Sequence, residues 1–270
     1  MACVKKQLEF SKGQVSDSEF LAHAILQAER AHTGRGIWDE YYHCKETSTN
    51  DSGGDDNVST ANVLSTLKHC VENAADSIYH FERFIVARDS TDCVNSDSNS
   101  SATNSASDID GSSGSSSGSS ITTRPPVACA CGFRYPDVTM GHVLKGLRTA
   151  NSHLLQWSSE ESERAEARLS FLSNSFPAGV DFAEKWMIEA VFTDPLRRGR
   201  GLAAAVLTQV LQLGRDCGCK EAVIVCAVGN TPALQLYAKL GFEPLGCGDS
   251  EECMRKLMTP GFNVLRYVYE

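Results

Sequence analysis

The sequence has little of what would place it in a membrane, outside the cell or on nucleic acid. No apolar run in its 270 residues approaches the length that spans a bilayer. The opening residues, MACVKKQLEFSKG, lack the apolar stretch of a secretion signal. Positive charge is in deficit: 25 Lys and Arg stand against 34 Asp and Glu, a net charge of −9. That balance argues against a nucleic-acid partner and is compatible with a cationic amine. Without a secretion signal, the eleven cysteines are expected to be reduced thiols in a cytoplasmic protein. Their two close pairs, Cys129/Cys131 and Cys217/Cys219, have the wrong spacing for ordinary zinc sites, so no metal is expected. No cysteine sits in a recognisable nucleophile setting, and no internal repeat is visible.

What the sequence does have centres on Ala190 to Ala204, AVFTDPLRRGRGLAA. It reads as a buried strand, a tight basic turn and the start of a helix. Such a turn offers several backbone N–H groups at a helix N-terminus, a natural seat for phosphate oxygens. Gly199 and Gly201 let the backbone approach a ligand closely, and Arg197, Arg198 and Arg200 add positive charge. Before this stretch, helices are expected over Ser16–His32, with a Ser16/Glu19 capping box, and over Val63–Ala75. Strands are expected over Glu82–Arg88 and Val127–Arg134. Between these strands, residues 89–123 form a tract of Ser, Asp, Asn, Gly and Thr with almost nothing to bury. It reads as a disordered insertion in a strand–strand loop, either a phosphorylation-dependent tether or a tolerated expansion. Residues 139–172 read as an inserted pair of helices.

The strand Trp186–Phe192 should place Met187, Glu189, Val191 and Thr193 on one face by simple alternation. Glu221–Val228, EAVIVCAV, is a continuous apolar run, as a strand buried on both faces requires. Helices over Gly201–Asp216 and Thr231–Leu240 flank it, and the last strands are Phe242–Leu245 and Phe262–Val268.

Two strings carry a family resemblance. Arg198, Gly201 and Ala203 fit Arg/Gln-x-x-Gly-x-Gly/Ala. Asn230, Ala233, Leu236, Tyr237, Gly241 and Phe242 fit Asn-x-x-Ala-x-x-Leu-Tyr-x-x-x-Gly-Phe. Together, in this order, they resemble the signatures of the GCN5-related N-acetyltransferase superfamily, firmly over about Trp186 to Leu245. The resemblance implies one domain over 1–270 with a mixed, mostly antiparallel sheet flanked by helices, the acyl-CoA N-acyltransferase fold. It implies acetyl-CoA as acyl donor, held at the pyrophosphate by Arg198, Gly199, Arg200, Gly201, Leu202 and Ala203. The strand edge Val191, Phe192 and Thr193 would hold the pantetheine arm, and Asn230 would touch that arm or cap its helix. Glu29, Trp38 and Asp39, at the end of the first helix and in the loop after it, would face the acceptor amine. The alternative is a surface carboxylate and a core tryptophan.

Two residues would do the chemistry. Glu189 is a carboxylate on a buried strand, where burial raises its pKa toward neutrality and suits it as general base; otherwise it is a structural carboxylate. Tyr237 matches the superfamily tyrosine that protonates the thiolate of CoA; otherwise it is a packed core tyrosine. The expected activity is direct acetyl transfer to a primary amine, of a small molecule before a protein N-terminus or lysine. The reading from another class is a non-catalytic acyl-CoA sensor or scaffold.

Overall fold

The computed structural model describes residues 8–42, 58–89 and 124–270. It contains strands β1 (Leu8–Lys12), β2 (Phe84–Asp89), β3 (Pro126–Arg134), β4 (Trp186–Thr193), β5 (Glu221–Ala227), β6 (Glu243–Cys247) and β7 (Phe262–Val268). They form one sheet in the order β1-β2-β3-β4-β5-β7-β6. All neighbours are antiparallel except β4 and β5, which are parallel. The helices are α1 (Ser18–Arg30), α2 (Ile37–Tyr41), α3 (Thr60–Asn73), α4 (Met140–Leu154), α5 (Ser159–Ala167), α6 (Leu202–Asp216), α7 (Thr231–Lys239) and α8 (Glu251–Leu257). The sheet is mixed and mostly antiparallel, with helices on both faces.

The two faces carry two separate cores. On one, residues of α1 to α5 and α8 pack against Val86, Cys129, Cys131, Met187, Phe192 and Val223. On the other, α6 and α7 pack against Ile85, Ala128, Trp186, Ile188, Ala222 and Ile224. This explains the unbroken apolar run of β5: Val223 serves the first core, and Ala222 and Ile224 serve the second. α6 lies close on the sheet because two glycines make room for Trp186. A Cβ on Gly214 would stand 2.5 Å from the indole, and one on Gly132 would stand 2.7 Å from it.

Periodicity missed three short elements. β1 has only five residues of mixed burial. α2 is a single buried turn and a half, IWDEY. α8 interrupts the last hairpin, so β6 reaches the sheet only as the edge partner of β7. The first helix is entered differently from expectation. A short 3-10 turn, Val15–Asp17, precedes it, and Asp17 accepts from Gln14 N at 3.0 Å, while Ser18 Oγ donates to Glu72 at 2.7 Å. The expected Ser16/Glu19 box is therefore absent, because the chain begins its turn earlier. Except for Asp89, which ends β2, the serine-rich tract lies outside the described residues. The stretch expected to hold two helices holds α4, α5 and a 3-10 turn at Ser170–Asn174. Among the described residues no helix is long and apolar enough to cross a membrane.

Candidate active site

The site is organised by a bulge in β4. On β3 the register advances two residues, from Cys129 to Cys131, while β4 goes back three, from Phe192 to Glu189. The extra residue is accommodated at Ala190, whose φ is +49°. That left-handed conformation costs an L-residue roughly 1–2 kcal/mol and inverts the alternation of side chains. Met187, Ala190 and Phe192 all join the α1 core, whereas Val191 packs with Trp186 and Ile188 on the α6 side. The expectation that Glu189 and Val191 share a face is thus corrected. Simple alternation fails where the bulge adds a residue.

Beyond the bulge β4 also loses its partner. β4 and β5 pair only over Trp186–Ile188 and Ala222–Ile224. The edges of Glu189–Thr193 and Val225–Ala227 then part, leaving a gap that crosses the sheet. β4 runs out of this gap into a turn. Asp194 caps a 3-10 turn at Pro195–Arg197 by accepting from Leu196 N at 2.9 Å. Gly199 and Gly201 adopt φ of +75° and +76°, and a Cβ on either would find no atom within 4 Å. The chain thus turns over open space before α6, with Gly201 as the N-cap. The first N–H groups of α6 have no partner within the helix and face this space. Arg198 Nε approaches Thr193 O at 3.4 Å, and Arg197 and Arg200 stand 3.9 and 4.0 Å from Asp89. Thr193 Oγ1 is buried without a partner. Open space, donors and a positive rim make this turn fit for a phosphate-bearing ligand.

On the α6 side of the gap lies Tyr237. It is 5% exposed and packs against Phe242 at 5.8 Å. Burial, with Cys226 nearby, pushes the phenol further above its ordinary range. It therefore stays protonated at neutral pH. Asn230 caps α7, accepting from Ala233 N at 3.4 Å; of its two expected roles the structure displays the cap.

On the α1 side lies Glu189, whose carboxyl burial pushes up to about 7. α1 packs on β4, where both Phe20, at 5.7 Å, and His23, at 5.9 Å, meet the ring of Phe192. Glu29, on the same helix, feels the charge of Glu189. Glu29 stands half-buried one turn beyond the buried Ile25 and Leu26. Its carboxyl is pushed up to about 8, by burial first and then by the charge of Glu189, and a hydrogen bond with Tyr79 partly opposes the rise. Tyr79, 1% exposed, belongs to this site and sequence reasoning missed it. It lies in the irregular segment before β2, where no periodicity or motif marks it.

Trp38 and Asp39 are used differently from expectation. Trp38 is wholly buried among Tyr41 and Tyr79. Asp39 accepts from Arg30 Nε at 2.9 Å and Nη2 at 2.5 Å, and from Gly36 N at 2.8 Å. It locks the chain reversal between α1 and α2, and neither residue presents an open surface to an acceptor. The end of α1 closes on the loop after β5: a Cβ on Gly229 would stand 2.8 Å from His32 Nε2. Burial also pushes the thiols of Cys129 and Cys131 upward, as inert core groups. Among the described residues no cluster of three or more His, Cys, Asp or Glu is arranged to hold a metal.

This geometry has relatives. Residues 148–242 match the model of the acetyltransferase (GNAT) family. Over 45 residues the sequence is 40% identical to N-alpha-acetyltransferase MAK3 of Arabidopsis thaliana, covering 17% of this chain and 24% of that protein. The chain thus spans about a quarter of the length of that curated relative. In three dimensions it resembles a protein described as an acetyltransferase, with a TM-score of 0.56 and 14% identity over 97% of this chain and all of the other. It also resembles SsHAT, with a TM-score of 0.50 and 14% identity over 97% of this chain and 98% of the other. Such identities speak for the fold. The family match itself takes in the bulged strand, the open turn, α6, β5 and α7, so the likeness lies over the part of the chain that builds the gap.

Proposed function

We propose that the protein is an N-acetyltransferase that carries the acetyl group of acetyl-CoA to the primary amine of a small molecule. The observation that supports this best is the gap between β4 and β5. It opens at the phosphate-competent turn, with Glu189 on one side and Tyr237 on the other. CoA phosphates would rest on Arg198, Gly199, Arg200, Gly201, Leu202 and Ala203. The edge of Val191, Phe192 and Thr193 would pair with the amides of the pantetheine arm. The donor supplies a thioester, already activated toward amines. The chain's own work is then to orient the amine, take its proton and supply one to the departing sulfur. Glu189, with its raised pKa, takes the proton from the attacking nitrogen as the new C–N bond forms. Tyr237, kept protonated by burial, gives its proton to sulfur as the C–S bond breaks. No covalent enzyme intermediate is required.

A small acceptor is the first reading because the helical pair over residues 139–172 would tend to enclose a pocket on the acceptor side. α8 is tied to α2 by Lys256 Nζ to Glu40 at 3.0 Å, and Lys256 also lies 4.7 Å from the Phe171 ring centre. The second reading, transfer to a protein N-terminus or lysine, is supported by the short match to N-alpha-acetyltransferase MAK3. Incubation with isotope-labelled acetyl-CoA and a metabolite extract, read by mass spectrometry, separates them. Label on small amines supports the first reading, and label on polypeptides alone supports the second. No label, with CoA bound in calorimetry, replaces both with a non-catalytic acyl-CoA binder.

A further inference from the structure

Past Ile188 and Ile224 no ladder joins β4 to β5, so the width of the gap must be set by something other than the sheet. α1 touches both sides. On the β4 side, the rings of Phe20 and His23 meet Phe192 edge-on at 5.7 and 5.9 Å. At the other end of the helix, Ala31 takes a φ of +43°, a backbone that L-residues seldom adopt. The next residue, His32, lies on the loop after β5. Its imidazole fills the place that a side chain on Gly229 would need: a Cβ there would stand 2.8 Å from Nε2 and 3.4 Å from Cε1. Gly229, with φ of +95°, directly precedes Asn230, the cap of the helix that carries Tyr237.

Both partners of this contact are fixed from behind. Asp39 holds Arg30 through two hydrogen bonds, and Thr33 Oγ1 donates to Arg30 O at 2.9 Å, which sets the turn carrying His32. Val228 N donates to Gly261 O at 2.9 Å, and Thr259 Oγ1 donates to Val228 O at 3.1 Å, which sets the loop carrying Gly229. A ring at contact distance from bare backbone, between two fixed segments, lets neither segment move closer.

We propose that α1 is a cross-brace over the gap, and that His32, seated on Gly229, is the positioning residue that fixes how far β4 and the β5–α7 loop stand apart. The inference rests on the acetyl-transfer reading and adds what holds its two sides in register. The width decides whether a pantetheine arm lies snugly between the edges, with Glu189 on one side and Tyr237 on the other. His32 acts through the shape and place of its ring and takes no part in proton transfer.

The test uses the full chain, with calorimetric binding of CoA, steady-state acetylation, and a thermal melt to confirm that each variant folds. In His32→Ala the Kd for CoA and the KM for acetyl-CoA should rise about three- to tenfold, with kcat changed less, since the reacting groups are shifted and not removed. His32→Gln sets an uncharged amide where Nε2 stood and should recover most of that loss. Gly229→Ala drives a methyl into the ring and should weaken CoA more than His32→Ala does. Combining the two removes the clash, so the double variant should bind better than the product of the single losses predicts. Unchanged Kd and KM in His32→Ala, or a Gly229→Ala defect that is the same with and without the ring, would overturn the brace and leave acetyl transfer standing. The expected Kd series in a protein that acetylates nothing would keep the brace and overturn acetyl transfer. A wild type that does not bind CoA overturns both.

Discussion

The two sides of the gap are built by different means. The turn side, Thr193 to Ala203 with the start of α6, is made of backbone: two left-handed glycines and a row of N–H groups, with arginines at its rim near Asp89. The α1 side is made of side chains: Glu29, Glu189, Tyr79 and Trp38 come from four separate segments. A site made of backbone needs small residues at fixed spacing and tolerates little else. A site made of side chains can be assembled from any elements that the fold brings together. The first is therefore fragile to added bulk, and the second to loss of a functional group.

The largest expected effect follows from that fragility. Gly201→Glu sets a carboxylate where the turn would meet phosphate. At ~4 Å and an effective dielectric of ~20 the repulsion is about 4 kcal/mol, so CoA affinity should fall by roughly a hundredfold or more. Gly201→Ala separates charge from strain. With no atom within 4 Å of its Cβ, it should cost the fold roughly 1–2 kcal/mol and still bind CoA. Calorimetry on both variants decides. Normal CoA binding by Gly201→Glu removes the phosphates from this turn.

Next come the proton-transfer groups. Glu189→Gln should lower kcat/KM by about 10²–10⁴, the range for general-base catalysis, with CoA binding retained. Tyr237→Phe should lie near the lower end of that range, again with CoA bound. In the wild type, kcat/KM should rise with pH through about 7, where Glu189 loses its proton. A flat profile over that interval, with an acceptor whose own charge is constant, assigns the base elsewhere. Undiminished turnover by Tyr237→Phe would leave it a packing residue beside Phe242.

The same division explains what could be read from the sequence. The turn, α6, β5 and α7 were legible because their residues are contiguous and their chemistry is that of backbone. Arg198, Gly201 and Ala203 sit in one string, and Asn230 to Phe242 in another. Glu189 was legible as a carboxylate inside an apolar strand. Its neighbours were not, since the bulge at Ala190 reverses which face Val191 serves, and an extra residue in a ladder leaves no mark in a run of apolar side chains. Tyr79 was illegible because its place depends on packing beneath α1. Trp38 and Asp39 lie in a segment that the superfamily places near acceptors, but here α2 is sealed into the core. Asp39→Asn probes that directly. It should cost about 1–3 kcal/mol in chemical denaturation by weakening a buried bond to Arg30, with the KM for the amine unchanged. A raised KM in a variant of undiminished stability would return Asp39 to the acceptor site.

The smallest effect sharpens the contrast in another way, because it concerns stability where the earlier ones concern activity. Glu29 and Glu189 both have folded-state pKa values raised above the ordinary value of 4.5, to about 8 and about 7. For a raised carboxyl the native state binds more protons than the unfolded chain, so stability falls as pH rises. Their contribution is fully present below about pH 4.5 and is lost as pH climbs through 7 to 8. Each keeps part of its surface open, which moderates the cost. Replacing either by Gln removes the ionisation. Relative to wild type, Glu29→Gln should be near neutral in denaturation at pH 5 and more stable by about 1–2 kcal/mol at pH 8.5. The opposite is expected of Gly201→Ala, whose strain carries no charge and should cost the same at both values. If Glu29→Gln gains nothing at pH 8.5, the carboxylate pair is better solvated than its place beside Tyr79 implies, and the acceptor side loses its store of electrostatic strain.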